Sequence, residues 1–179
     1  MPILKVARLG HPVLRMQAKP LSRADLKDRD VQRFIDDMAE TMQDYHGVGL
    51  AAPQVHISSR IIVIEEQPGS GDGTRPAVPL TVLVNPTLSP VSETTVEDWE
   101  GCLSIPDLRG RVPRWTAISV QALDRDGRPV AFEARDFRAR VIQHEVDHLD
   151  GVVFLDRMKD LSNLSFLQEY LTYWRNNEE

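Results

Sequence analysis

The run QHEVDHLDG at residues 143–151 contains His144, Glu145, Val146, Asp147 and His148: two histidines four positions apart, with a glutamate directly after the first. On a helix such a pair lies one turn apart on the same face, so both imidazoles can reach one metal ion. Glu145 is turned from His144 by about 100° and therefore flanks the ion instead of binding it. A carboxylate placed there can take the proton of a water whose pKa the ion has lowered to about 7, which is what metal-assisted hydrolysis requires. A lone histidine on an apolar helix face is more often a packed core residue; two at this spacing, with the glutamate in this slot, favour a metal site. Asp147 reads equally as an acceptor that orients a ligand and as a surface charge.

A catalytic tetrahedral ion takes three protein ligands and keeps one position open. Downstream of His148 there is no further histidine, and Asp156, Asp160 and Glu169 form no metal-binding pattern. Upstream, EGCLSIP at 100–106 holds the only cysteine, Cys102. A thiolate is a strong ligand for a borderline-soft divalent ion, and Cys102 with His144 and His148 would make an open set of one sulfur and two nitrogens. Cys102 has two rival readings, a buried structural thiol and a nucleophile paired with a histidine. The nucleophile would leave Glu145 and one imidazole without roles. A third segment, GVGLAAPQ at 47–54, is rich in small residues that allow close backbone approach to a strand or to an extended ligand. Gln54 adds an amide donor, useful to an oxyanion if it faces the ion. Alone, this segment is equally one that simply packs tightly.

The elements that must carry these residues can be read from periodicity. Residues 24–45 predict a helix with Val31, Phe34, Ile35, Met38 and Met42 on one stripe, closed near Gly47. RIIVIEE at 60–66 and TVLVNP at 81–86 predict strands, and 87–99, 115–123 and 129–134 also read as extended, with Asp126-Gly127 as a hairpin turn. From Asp136 to Asp150 the period is helical, with Phe137, Val141, His144 and His148 on one face and Gly151 as the stop. Ser162 to Trp174 forms a second amphipathic pattern through Leu164, Leu167, Leu171 and Trp174, expected to be a helix packed on the sheet, with a partner-binding helix as the sharper alternative. QPGSGDGTRP at 67–76 reads as an exposed loop. The expected fold class is α+β: short, mostly antiparallel sheets around a central metal-binding helix, with N- and C-terminal helices.

The 179 residues fit one domain, 1–179, able to form a core unaided. With 41% hydrophobic and 27% charged residues the chain is globular in composition. A net charge of -6 argues against general nucleic-acid binding, and Arg109, Arg111 and Arg114 read as a solvated basic face. One cysteine permits no internal disulfide, which points to a reducing compartment. No apolar run approaches the ~20 residues of a membrane span, and MPILKVARLG lacks a signal or transit pattern, so a complete cytoplasmic chain is expected.

Taken together and in this order, GVGLAAPQ, EGCLSIP and QHEVDHLDG resemble the peptide deformylase family, with weaker likeness through LGHPVLR, RVPRW and ALDRDG across most of residues 5–158. The resemblance implies Cys102, His144 and His148 as metal ligands and Glu145 as general acid/base. It also implies Gln54 and the Leu103 backbone N–H as oxyanion donors, Val48 and Gly49 as holders of an extended substrate, and Arg109 beside the peptide groove. Glu100 is implied as a supporting group paired with Arg114. The implied activity is removal of the N-formyl group from the N-terminal methionine of nascent proteins, with release of formate. Water or hydroxide on the metal would attack the formyl carbon, and Val141 would help line the methionine pocket. The implied cofactor is one divalent ion, natively Fe2+, with Zn2+, Ni2+ or Co2+ able to substitute. The implied partners are N-formyl-methionyl nascent peptides and, transiently, the ribosome, in a bacterial-type cytoplasm, with no membrane and no sequence-specific nucleic acid. The residues alone leave two other classes: an H-E-x-x-H metallopeptidase, against which Cys102 as third ligand argues, and a non-catalytic module with a structural metal, against which the missing fourth ligand argues.

Overall fold

A computed structural model describes residues 2–66 and 77–175; the loop expected at 67–76 lies outside the described residues. In chain order the elements are α1 Arg29–Asp44, β1 Gly49–Ala51, β2 Ile61–Glu66, β3 Val78–Pro90, β4 Thr95–Cys102, β5 Ile105–Trp115, β6 Ala117–Leu123, β7 Pro129–Arg135, α2 Asp136–Leu149, α3 Phe154–Arg157, β8 Leu164–Phe166 and α4 Leu167–Tyr173. Among the described residues two antiparallel sheets form, one of five strands in the order β1-β2-β3-β6-β7 and one of three in the order β4-β5-β8.

The five-stranded sheet is covered on both faces. Along β2, Ile61 and Val63 pack with Ile35, Met38 and Met42 of α1, while Ile62 and Ile64 pack with Ala139, Ile142, Val146 and Leu149 of α2. Alternation in a strand sends successive side chains to opposite faces, so a continuous apolar run is what a doubly covered strand needs. Each fully buried aliphatic side chain contributes about 1.5–3 kcal/mol.

From Ala139 to Leu149 every residue of α2 is buried, polar ones included. Most polar side chains of a helix so enclosed find partners within the protein. Gln143 does so by clamping the backbone of Trp115, accepting from its N–H at 3.1 Å and donating to its carbonyl at 2.9 Å.

Several expectations change. The first helix starts at Arg29 rather than 24, because Asp28 is extended and caps it by accepting from the Asp30 N–H. Its end is closed by His46 at φ 54°, with His46 donating to Gln43 O and Gly47 donating to Met42 O, the two bonds of a Schellman turn. Segments 81–86 and 87–90 belong to one strand, with a register irregularity between Val84 and Thr87. Arg109, Arg111 and Arg114, read as a basic face, lie on β5, an eleven-residue strand whose two prolines and internal glycine mask its pattern. The tail is not one helix: Leu164–Phe166 pairs as a strand with β5, and only Leu167–Tyr173 is helical.

Candidate metal centre

The β4–β5 hairpin turns at Leu103 and Ser104 and presents Cys102 towards α2. Ligand atoms of Cys102, His144 and His148 lie within 4.8 Å of one another, and all three residues are buried. Cys102 Sγ stands 3.2 Å from His148 Nε2. Bonds of about 2.3 Å to sulfur and 2.0–2.1 Å to nitrogen around one tetrahedral ion need ligand separations below that span, so the residues fit a divalent ion. His144 Nδ1 is 2.9 Å from Glu100 Oε2, which leaves Nε2 as its ligand nitrogen.

The electrostatics of the cluster favour a cation. Burial opposes a charged thiolate, but the nearby His148 ring and hydrogen bonds from both imidazoles hold the Cys102 thiol well below its ordinary range. Burial likewise disfavours a charged His144, yet hydrogen bonds to Cys102 and Glu100 raise it well above the usual histidine value. A divalent cation held here would supply the positive charge that a buried thiolate needs.

Glu145 is buried, and its Oε2 has no hydrogen-bond partner among the described residues. Burial pushes its carboxyl up to about 7, against the opposing charges of His144 and His148. The side chain packs directly against Gly49 at the start of β1. Gln54 follows β1 in a short 3-10 turn; its Oε1 accepts from the Ala51 N–H at 2.8 Å. That bond fixes the amide so that Nε2 faces Ser104 Oγ at 3.2 Å and Cys102 Sγ at 3.5 Å.

A cavity of about 600 Å³ opens over this cluster. Its walls include Val48, Gly49, Gln54, Cys102, Leu103, Arg109, Val141, His144 and Glu145, so every expected site residue except His148, which is fully buried beneath, lines it.

Behind the ligands runs an ionic network. Arg114 donates to Glu100 from Nε at 2.8 Å and Nη2 at 3.0 Å, and to Asp147 from Nη1 at 2.5 Å. Asp147 also accepts from Arg157 Nη2 at 2.7 Å. Burial would raise the Glu100 carboxyl, but His144 and Arg114 hold it well below the usual carboxylate range. Asp147 thus anchors two arginines, Arg114 and Arg157, and is neither a surface charge nor a partner of a ligand ring, and the expected basic face is divided: Arg114 is buried, whereas Arg109 is half-buried at the cavity.

Arg140 escaped the sequence reading. It lies one turn before His144 and donates to Glu100 Oε1 at 2.8 Å, to Val112 O at 2.8 Å and to Val96 O at 2.7 Å. One side chain therefore ties α2 to both strands of the hairpin that carries Cys102. A charged residue four positions before His144, and so on the same helix face, was the available signal.

The sequence model of the polypeptide deformylase family matches residues 3–164. The chain is 40% identical over 176 residues to peptide deformylase 1 of Prochlorococcus marinus, covering 96% of this chain and 89% of that one. It is 39% identical over 163 residues to peptide deformylase 1 of Bordetella pertussis, covering 91% and 92%. Among solved structures, the Met-Ala-Ser-bound class I type b peptide deformylase of Acinetobacter baumannii superposes with a TM-score of 0.84 at 38% identity, over 88% of this chain and 99% of that one. The peptide deformylase of Thermotoga maritima gives 0.78 at 36% identity, over 89% and 100%. Likeness of this depth across nearly the whole chain, over a sulfur–imidazole cluster flanked by a buried glutamate, leaves one assignment: the chain belongs to the polypeptide deformylase family.

Proposed function

We propose that this protein hydrolyses the N-formyl group from the N-terminal methionine of nascent proteins, releasing formate and a free amine, through the residues around Cys102, His144 and His148. The observation that carries this is the meeting of those three ligand atoms within 4.8 Å beside the unpartnered Oε2 of Glu145, under an open cavity. A divalent ion held by Cys102, His144 and His148 supplies Lewis-acid polarisation of the formyl group and a water that ionises near neutrality.

The other roles fall to the chain. Glu145 accepts a proton from the attacking water and returns it to the amine nitrogen as the C–N bond breaks. Burial raises this carboxyl, which suits it to return the proton, and the charge of a bound cation would favour the accepting form. Gln54 Nε2 and the Leu103 N–H donate to the developing oxyanion, each worth about 3–4 kcal/mol in such sites. Among the described residues β1 is an edge strand, so Gly49 offers its outer edge to an extended peptide, with Val48 beside it bonded to β2 through the Glu65 N–H. Val141 and Phe137 supply an apolar wall for the methionine, and Arg109 stands beside the peptide beyond it.

The native ion is Fe2+, with Zn2+, Ni2+ or Co2+ able to replace it in a mixed sulfur–imidazole set. The substrate is made on the ribosome, so the working location is a bacterial-type cytoplasm with transient ribosome contact. Among the described residues no helix is long and apolar enough to cross a membrane.

The test is formate release from formyl-Met-Ala-Ser by anaerobically purified protein of measured metal content, beside an internal peptide of similar length. Deformylation of the first, with its loss in Glu145→Ala at unchanged metal content, is expected. Cleavage of the internal peptide alone would make the protein an endopeptidase.

A further inference from the structure

The two oxyanion donors of the proposed reaction stand on different sheets. Gln54 follows β1 of the five-stranded sheet, whereas Leu103 lies in the turn between β4 and β5 of the three-stranded one. Among the described residues no strand pairing joins β1 to that hairpin, so no ladder fixes one donor against the other. The chain ahead of the first helix crosses between them. The Ala7 N–H donates to the Gln54 carbonyl at 2.7 Å, and the Leu9 N–H donates at 2.9 Å to the carbonyl of Ser104, the residue after Leu103. Two positions along a chain span at most about 7 Å, so this arm limits how far the two carbonyls can part. The arm is itself held on either side. The Leu4 N–H donates to Thr41 Oγ1 of α1 at 2.9 Å, and Ala7 is buried in a cluster with Val13 and Leu14. Lys5, Val6 and Arg8 line the cavity, so the arm runs along the site itself. Gln54 Nε2 reaches Ser104 Oγ at 3.2 Å, which shows that the spacing held by the arm brings the amide up to the turn.

We propose that the arm of residues 4–9 is a positioning element for the reaction: through the N–H groups of Ala7 and Leu9 it sets the separation between Gln54 Nε2 and the Leu103 N–H. This rests on the deformylase reading above. A donor stabilises an oxyanion only from about 2.7–3.1 Å, so two donors on separately built sheets serve one oxygen only if their spacing is fixed. A bond to the backbone of Gln54 and another beside Leu103 fix it directly. The same two bonds touch neither the metal ligands nor Glu145. Their loss therefore leaves the metal in place and weakens an interaction made chiefly in the transition state, which lowers kcat with little change in KM.

The experiment replaces single backbone amides by esters, which deletes one N–H and keeps the side chain: lactic acid at position 7, leucic acid at position 9 and, as a control, leucic acid at position 4. Metal content, melting temperature, kcat and KM for formyl-Met-Ala-Ser are measured for each, alone and combined with Gln54→Ala. The esters at 7 and 9 are expected to lower kcat by about tenfold or more, with KM moving by less than about twofold and metal content unchanged. The ester at 4 deletes a bond of the same arm, to Thr41, and is expected to lower the melting temperature similarly while kcat stays as it was. In Gln54→Ala the ester at 7 should lower kcat no further, because the donor that it positions is gone. Leu9→Pro, which deletes the same N–H at an exposed position, repeats the result for position 9 by ordinary mutagenesis. An unchanged kcat at both 7 and 9, an equal loss at position 4, a loss carried by KM, or a full additional loss in Gln54→Ala would overturn the positioning role while leaving the deformylase intact. No formate from the unaltered protein would overturn the deformylase reading and the arm's role with it.

Discussion

Gly49 lies so close to Glu145 that a Cβ on the glycine would stand 2.5 Å from the carboxylate Oε1 and 2.8 Å from Cδ. The contact joins the edge strand offered to the substrate to the proposed proton carrier. Gly49→Ala is expected to displace Glu145, because the carboxylate is buried and has little room to retreat. A misplacement of this order costs about 10²-fold in rate, and overpacking costs about 1–3 kcal/mol of stability. Metal content should stay unchanged, since Gly49 touches no ligand. Steady-state kinetics with thermal melts check this.

Arg140 is expected to govern how firmly the metal is held. Arg140→Met strips a hydrogen bond from Glu100 and from the carbonyls of Val96 and Val112, all of them beside the ligand hairpin. Leaving buried acceptors unpaired costs about 1–3 kcal/mol each, and loss of support around a metal ligand costs about 10–100-fold in metal affinity. Competition with a chelator measures the change; Arg140→Lys should recover part of it.

Removing the ion should destabilise the fold by mass action. An ion present at 100 times its dissociation constant contributes about 2.7 kcal/mol, which for a chain of this size corresponds to a fall of about 5–10 °C in Tm. Chelator-treated protein should show this fall and recover on adding Fe2+ or Zn2+ anaerobically. Cys102→Ser, which lacks the sulfur, should show little response to either treatment.

Acid should loosen one tie between the N-terminal arm and α3. Burial slightly raises the Asp156 carboxyl, but hydrogen bonds from Arg15 and from the Val153 N–H, with the charge of Arg15, bring it below its ordinary 3.8. A folded-state value below the unfolded one means the contribution is complete above 3.8 and fades as pH falls through the folded value. The pair is half-exposed, so the effect is about 0.5 kcal/mol. Melting curves from pH 5 to pH 2 for the unaltered protein and Asp156→Asn should differ at pH 5 and converge towards pH 2.

The elements around the site were legible to different degrees. The helix of Asp136–Leu149 follows from periodicity and from Gly151, which stops it at φ 74°. The Ile61–Glu66 strand and the Asp126-Gly127 turn follow from β-branched residues and turn chemistry. β5 was hidden because Pro106, Gly110 and Pro113 interrupt its pattern; pairing with β4 and β8 overrides local preference. The tail misled because its apolar positions suit a helix, whereas Leu164–Phe166 gains more as a third strand on β5.

The sequence by itself determined the chemistry available to this protein: two imidazoles one helical turn apart, a carboxylate beside them, one sulfur and an amide, each on a short segment whose spacing expresses its role. Those facts are local, and local geometry follows from residue order. Only the tertiary structure decided that Cys102, 46 positions from His148, comes within 3.2 Å of it. The same is true of Arg114 and Arg140 converging on Glu100, and of Leu167 standing in the cavity wall. These are contacts between distant segments, set by strand pairing and by the need of every buried charge for a partner, and no spacing along the chain encodes them.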